Sequence, residues 1–330
     1  MADLTPPALC TLAALNPNLT SLRLDFCGRI DNSVIAAWSA SLPSLTRVEL
    51  LGPFLVRASA WQSFFASHPK LTGFLITQSP RFDLQCMQSL VTHCRGLTAL
   101  RLREVGKLDE TFLPYIQSLA GQLAHLDLSS PGNPEALSCD ALVDLMEAVG
   151  PALRHLDLSG NVLLGDAFLF QGLKPHTRRL EALVLANTPE LTDAGVAEFF
   201  DTWPAAAEPP NTPLRLIDLS RNHDLAGDAL EALLTHSGEA LETLNINGWK
   251  VAPEEVLNTI GEQARRLRRA DLGWCREVTD WTVKALVGQC DSLEEVKVWG
   301  CQRVTVNCPR KVRRDVLGDA FDTDVYCSGA

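Results

Sequence analysis

The frame LxxLxLxx(N/C)xx(L/I/V) recurs eleven times along this chain, and no other feature restricts its fold as much. Clear copies are LTSLRLDFCGRI from Leu19, LRHLDLSGNVLL from Leu153, LRRADLGWCREV from Leu267 and LEEVKVWGCQRV from Leu293. The leading leucines are Leu19, Leu45, Leu71, Leu97, Leu123, Leu153, Leu180, Leu214, Leu241, Leu267 and Leu293, in steps of 26, 26, 26, 26, 30, 27, 34, 27, 26 and 26. A period of about 20 to 29 residues marks stacked units that bury their apolar faces only against their neighbours. The two steps beyond that range are insertions.

Within a unit the LxLx segment alternates apolar and polar residues, which predicts a short strand with its leucines turned inward. The second half changes period. In TDWTVKALVGQC, Val283, Leu286, Val287 and Cys290 fall at i, i+3, i+4 and i+7, an apolar helix stripe with Thr279 or Asp280 as N-cap. Strand plus helix per unit predicts an α/β leucine-rich-repeat solenoid, a horseshoe with a parallel concave sheet and convex helices. Cys27, Cys275 and Cys301 occupy the N/C position, and Cys94 and Cys290 close helices, so these thiols are expected to be buried packing groups. A zinc site would have to use Cys301 and Cys308, yet no CxxC or HxxxH spacing supports one.

LTPPALCTL, from Leu4, matches the helical half of a repeat whose strand would lie upstream of Met1, so the chain is expected to start inside a repeat. The domain expectation is a partial repeat over 1–18, the array over 19–300, and a cap with a frayed tail over 301–330, within which Pro309 interrupts the expected helix. The insertions are SSPGNPEALSCD, residues 129–140, and DTWPAAAEPPNTP, Asp201 to Pro213. The second reads as an exposed loop, either a tolerated insertion or a docking element.

No signal peptide or membrane-length apolar run is visible, so an intracellular, soluble chain without membrane contact is expected. Its ten cysteines then read as thiols and not as a disulfide framework. A net charge of −11 disfavours bulk attraction to nucleic acid, although a local basic patch remains compatible with it.

Because the repeats are in register, outward strand positions stack into columns at about 4.8 Å. The central column runs Arg23, Glu49, Leu75, Arg101, Asp127, Asp157, Val184, Asp218, Asn245, Asp271, Lys297. Arg47, His125, His155, Arg269 and Glu295 flank it on one side, and Asp25, Arg103 and Trp299 on the other. Mixed charge with exposed Leu51, Leu75 and Trp299 fits a protein partner better than DNA, with Trp299 as the anchor. The partner-binding set is therefore Arg47, Arg101, Arg103, Asp127, Asp157, Asp218, Asp271, Lys297 and Trp299. The aspartates have a simpler reading, as groups that keep an exposed sheet solvated.

His125 and His155 beside Asp127 and Asp157 form the one cluster with catalytic or metal-binding residue types, but no nucleophile or third partner accompanies it. There is no glycine-rich phosphate loop, GxSxG or HExxH segment, so no enzyme, cofactor or metal is expected. Two basic strings remain: Arg265, Arg266, Arg268 and Arg269 at a helix end, and Arg310, Lys311, Arg313 and Arg314 near the C-terminus. Each reads as solvated surface; the second reads alternatively as a phosphate contact or a nuclear import signal.

The cysteine at the N/C position, the V/LTD helix opening and the 26-residue step resemble the repeats of F-box-type ubiquitin ligase receptors. More particularly, LEEVKVWGCQRVTVNCPRK from Leu293 and LTPPALCTLAALNPNLTSLRLDFCGRI from Leu4 resemble the fungal Rad-seven family of nucleotide-excision-repair proteins. That resemblance implies a nuclear, non-catalytic receptor for global-genome repair. It also implies a SWI/SNF-type repair ATPase and a cullin–elongin C ubiquitin ligase as partners, with damaged DNA as a further ligand, contacted indirectly or, as the weaker alternative, directly. The matching positions Gly300, Cys301, Arg303, Val304, Thr305, Cys308, Pro309, Arg310 and Lys311 are cap residues first and contacts second. The alternative is an F-box-like substrate receptor unrelated to repair.

Overall fold

The computed structural model describes residues 5–25, 28–203, 213–305, 307–308, 311–316 and 319–327. The chain divides into two compact units, Met1–Asn161 and Val162–Ala330. Cys27, Pro309, Arg310 and most of the second insertion lie outside the described residues.

In the first unit, β1 (Ser21–Leu24), β2 (Arg47–Leu51), β3 (Gly73–Thr77), β4 (Ala99–Arg103), β5 (His125–Asp127) and β6 (His155–Asp157) pair in parallel, each with the next. Between them run α2 (Asn32–Ser41), α3 (Ala58–Ser67), α4 (Leu84–His93), α5 (Leu113–Gln117) and α6 (Cys139–Val149), preceded by α1 (Pro6–Leu15). In the second unit β7 (Ala182–Val184), β8 (Leu216–Asp218), β9 (Thr243–Asn245), β10 (Arg269–Asp271) and β11 (Glu295–Val298) repeat the pattern. Its helices are α7 (Lys174–His176), α8 (Asp193–Thr202), α9 (Gly227–Ser237), α10 (Glu254–Gln263) and α11 (Asp280–Gln289).

The register follows the leucine frame. Leu22, Val48, Phe74, Leu100, Leu126 and Leu156 face inward in the first unit, and Leu183, Ile217, Leu244, Ala270 and Val296 in the second; all are buried. Each buried leucine contributes about 1.5 to 3 kcal/mol, and helices shield this side of the strands. In the first unit an aromatic cluster thickens the core: Trp61 lies 5.3 Å from Phe74 and 6.1 Å from Phe65, ring centre to ring centre.

The N/C position has a definite task in the second unit. Its side chain donates to a carbonyl of the preceding strand turn: Asn222 Nδ2 to Leu185 O (2.8 Å), Trp249 Nε1 to Leu219 O (2.9 Å), Cys275 Sγ to Ile246 O (3.3 Å) and Cys301 Sγ to Leu272 O (3.1 Å). Buried Cys94 and Cys290 point Sγ at the His68 and Ala264 carbonyls. Burial pushes the Cys94 and Cys275 thiols up to about 12, so both are inert packing groups as expected.

Two further columns share this register. At the strand start, Thr46, Thr72 and Thr98 each donate Oγ1 to the threonine carbonyl one repeat earlier, at 3.0 to 3.2 Å. In the second unit the same position carries alternating charge, and Arg215 Nε bonds Glu242 (2.9 Å) as Arg268 Nε bonds Glu294 (2.8 Å). At the strand end a left-handed residue turns the chain toward its helix: Gly52, Gln78, Glu104, Ser130 and Gly160, then Asn187, Arg221, Gly248, Trp274 and Gly300.

Thr279, not Asp280, caps α11; the Asp280 carboxylate accepts the Thr305 amide at 2.8 Å instead. The first insertion is packed, with Leu137 buried and Gly132 so close to Gly106 that a Cβ would come within 2.5 Å of it. In place of a frayed tail, β12 (Lys311–Val316) pairs antiparallel with β13 (Asp319–Cys327), which pairs in parallel with β11. The register sets Lys311 opposite Asp324 and Arg313 opposite Asp322, and the β-branched Val312 and Val316 suit a strand.

Candidate partner-binding faces

On the open side of the first unit the expected central column exists as a register: Arg23 pairs with Glu49, Glu49 with Leu75, Leu75 with Arg101, Arg101 with Asp127, and Asp127 with Asp157. Its character differs from the expectation. Arg101 donates Nε to Asp127 Oδ2 at 2.8 Å and Nη1 to Glu49 Oε1 at 2.9 Å. Since Glu49 sits on β2 and Arg101 on β4, the second bond passes over Leu75 on β3. Leu75 is therefore 1 % exposed and offers no apolar contact. Glu49 also attracts Arg23 (3.8 Å) and Arg47 (3.7 Å), and Arg47 lies across Gly73. Arg103, more exposed, is 3.6 Å from Glu104.

Asp127 and Asp157 are likewise not a solvated fringe. Asp127 is 2 % exposed and accepts the Ser129 amide (3.0 Å) and hydroxyl (2.5 Å); buried Asp157 accepts the Ser159 amide at 3.0 Å. Burial, reinforced by the neighbouring Asp127 carboxylate, pushes Asp157 up to about 6. His125 and His155 stack with ring centres 4.1 Å apart and planes within 8°. Burial, with His155 and Arg101 nearby, drives His125 down to about 3; burial also lowers His155. Two neutral stacked imidazoles, in the register column beside a carboxylate already held by arginine, form a structural array. Among the described residues no group of three or more His, Cys, Asp or Glu is placed to hold a metal ion.

The second unit keeps an accessible face. Asp218, Asn245, Asp271 and Lys297 line a recess of about 230 Å³ together with Arg269 and Glu295. Asp218 accepts from the Ser220 amide (2.9 Å) and Asn245 Nδ2 (2.7 Å), and Asp271 from Asn247 Nδ2 and the Gly273 amide, both at 3.0 Å. Lys297 Nζ is 3.5 Å from Glu295, and Trp299 is 46 % exposed just beyond β11. The structure thus brings Asp218, Asp271 and Lys297 around one recess of this unit and Arg47, Arg101, Asp127 and Asp157 into one network of the other. Lys311, Arg313 and Arg314 take places on β12.

Sequence reasoning passed over Glu49, the cross-strand partner of Arg101, and Trp274, which is 63 % exposed. Glu49 stood in the central column as one charge among several, and only the spacing across β3 reveals its reach. Trp274 sits inside the frame at the left-handed position, where an aromatic residue is itself a signal.

No protein-family model matches the chain. Over 307 residues, 92% of its length, it is 30% identical to the DNA repair protein rhp7 of Schizosaccharomyces pombe, and over 321 residues it is 27% identical to the DNA repair protein RAD7 of Saccharomyces cerevisiae. In the crystal structure of the yeast Rad7–Elc1 complex, a chain 26% identical to this one superposes on 92% of it with a TM-score of 0.82. This chain is homologous to the Rad7 and rhp7 DNA repair proteins. It spans about half the length of the two curated relatives, 53% of rhp7 and 55% of RAD7, and covers 75% of the crystallised Rad7-complex chain. The resemblance to the Rad-seven family, read from the segments beginning at Leu4 and Leu293, is thereby borne out, as is the α/β leucine-rich-repeat fold. No helix among the described residues of this Rad7 homologue is long and apolar enough to cross a membrane.

Proposed function

We propose that this Rad7 homologue is a non-catalytic receptor in global-genome nucleotide excision repair, acting in the nucleus. In this reading it joins a SWI/SNF-type repair ATPase to a cullin–elongin C ubiquitin ligase and presents the open face of its second unit to a protein partner. The observation that carries the reading is the superposition of 92% of the chain on a structure of Rad7 with Elc1. The distribution of charge supports it: the first unit satisfies its carboxylates internally, whereas the second leaves a recess beside an exposed tryptophan, the pattern of an anchor site. Neutral, stacked His125 and His155 support a non-catalytic role. Deleting the gene is expected to sensitise cells to ultraviolet light, and affinity capture to recover elongin C and the ATPase. Substituting Lys297→Glu and Trp299→Ala is expected to reduce recovery of the ATPase. Normal ultraviolet survival of the deletion strain overturns the assignment to repair.

A further inference from the structure

At the strand ends of the second unit the left-handed column common to the repeats holds a side chain that the turn itself does not require. Trp274 holds a left-handed backbone, φ 60°, where the repeats on either side place Gly248 and Gly300. Bulky L residues adopt that conformation only at a cost. The side chain recovers little by burial, since 63 % of the residue stays exposed. Its ring lies so close over Gly300 that a Cβ there would come within 2.5 Å of it. The Trp274 amide donates to the Trp299 carbonyl at 2.6 Å, so two exposed indoles sit on adjacent repeats at one rim. Gln78, Glu104, Ser130, Asn187 and Arg221 hold the same left-handed position in other repeats, so what sets Trp274 apart is a large aromatic side chain left exposed there, a feature of binding surfaces.

The same rim also carries exposed cations, interleaved with the carboxylates of Asp224 and Glu277. Arg221 occupies the left-handed position two repeats before Trp274, and Lys250 and Arg276 lie two residues past that position in successive repeats. All three are exposed and, among the described residues, none has a carboxylate partner, whereas nearby Arg303 is taken up by Glu254 (2.7 Å) and Glu277. The rim's main chain is already paired: the amides of Arg221 and Gly248 donate to Asn247 and Gly273 at 2.7 and 2.8 Å. A peptide adding itself as a strand finds no open amides there. What the rim offers is ring faces and unpaired cations, which suits a polyanion with exposed π faces.

We propose that this rim binds an unpaired nucleic-acid strand, its bases stacking on Trp274 and Trp299 and its phosphates meeting Arg221, Lys250 and Arg276. A duplex keeps its base faces stacked internally and fits the rim poorly. The rim shares Trp299 with the protein-anchor face, whereas Trp274, Arg221, Lys250 and Arg276 lie outside the recess, so loss of oligonucleotide binding in the Trp274 and Arg276 variants reports on the rim alone. With the chain at −11, attraction is local, and three phosphate contacts set a shallow dependence of log K on log salt, a slope of about −2.

Fluorescence anisotropy of a labelled oligothymidylate of about twelve nucleotides, with tryptophan quenching as a second readout, tests this on the 330-residue chain at about 50 mM salt. Single strand is expected to bind at least about ten-fold tighter than duplex of equal length, and Trp274→Ala or Trp299→Ala to weaken binding by about five- to fifty-fold each. Arg276→Glu should flatten the salt slope by about one phosphate contact. Trp274→Gly, which suits the left-handed backbone, must lose the same affinity while its circular dichroism stays unchanged. The proposal is overturned if no oligonucleotide binds, if duplex binds equally well, or if the tryptophan variants bind normally. Quenching by a polyglutamate peptide bearing one phenylalanine, without any response to the oligonucleotide, assigns the rim to a protein and also overturns it.

Discussion

Asn222 shows how one side chain serves two repeats. Its Nδ2 donates to Leu185 O at 2.8 Å and Leu219 O at 3.1 Å, while its Oδ1 accepts the Thr188 amide at 2.7 Å, all in a buried setting. Truncation leaves three backbone groups without this partner and away from water, so Asn222→Ala is expected to cost about 2 to 4 kcal/mol in urea denaturation. Asp157 presents the opposite case. Its folded pKa of about 6 exceeds the unfolded 3.8, so whatever stability it lends is complete below 3.8 and is lost as pH rises through 6. Asp157→Asn keeps an acceptor for the Ser159 amide and removes the second carboxylate beside Asp127. It should stabilise the chain by about 1 to 3 kcal/mol at pH 7.5 and change little at pH 3.5; equal effects at both pH values would discard the carboxylate explanation.

Among the elements, β2, β3 and β4 act together through one ion pair. Arg101 holds Asp127, which is 2 % exposed, and reaches Glu49 across Leu75. Arg101→Ala strands a buried carboxylate and uncovers Leu75, and is expected to cost about 3 kcal/mol; a loss below about 0.5 kcal/mol would mean that the network is merely superficial. Helix starts depend on shorter-range chemistry. Asp31 caps α2 by accepting the Ser33 and Val34 amides at 2.9 and 3.2 Å, and the Ser33 hydroxyl bond holds its carboxyl below the usual range. Asp31→Ala should cost about 1 kcal/mol at neutral pH, an effect present above pH 3.8 and absent once acid protonates the folded carboxyl.

At the scale of the whole molecule, pH integrates several buried imidazoles. Burial lowers His68, His125, His155 and His236 below the ordinary 6.5. The unfolded chain therefore binds protons that the folded chain refuses. The associated stability is complete above about pH 6.5 and drains away as pH falls, by roughly 2 kcal/mol at pH 5 for His125 alone. Asp157 works in the other direction between pH 3.8 and about 6 but is outnumbered. Melting temperature should drop between pH 7.5 and pH 5, and a His125→Gln, His155→Gln double variant should halve that drop. An undiminished drop in the double variant would place its origin elsewhere.

Repeat period, strand register, inward leucines and buried cysteines were all legible in the amino-acid sequence, because a 26-residue step forces equivalent residues into columns whatever surrounds them. The Rad7 resemblance was legible too, in the Leu293–Lys311 segment. What the sequence could not reveal is how far a side chain reaches across its column. Leu75 and Asp127 occupy outward positions and look exposed by pattern, yet the length of Arg101 spans two strand spacings and closes over them. Strand order needs only local alternation, whereas burial on an open sheet depends on which neighbours meet overhead. The tertiary structure alone decided that the first unit spends its charges on itself and that the second leaves Trp274, Trp299 and unpaired cations facing outward.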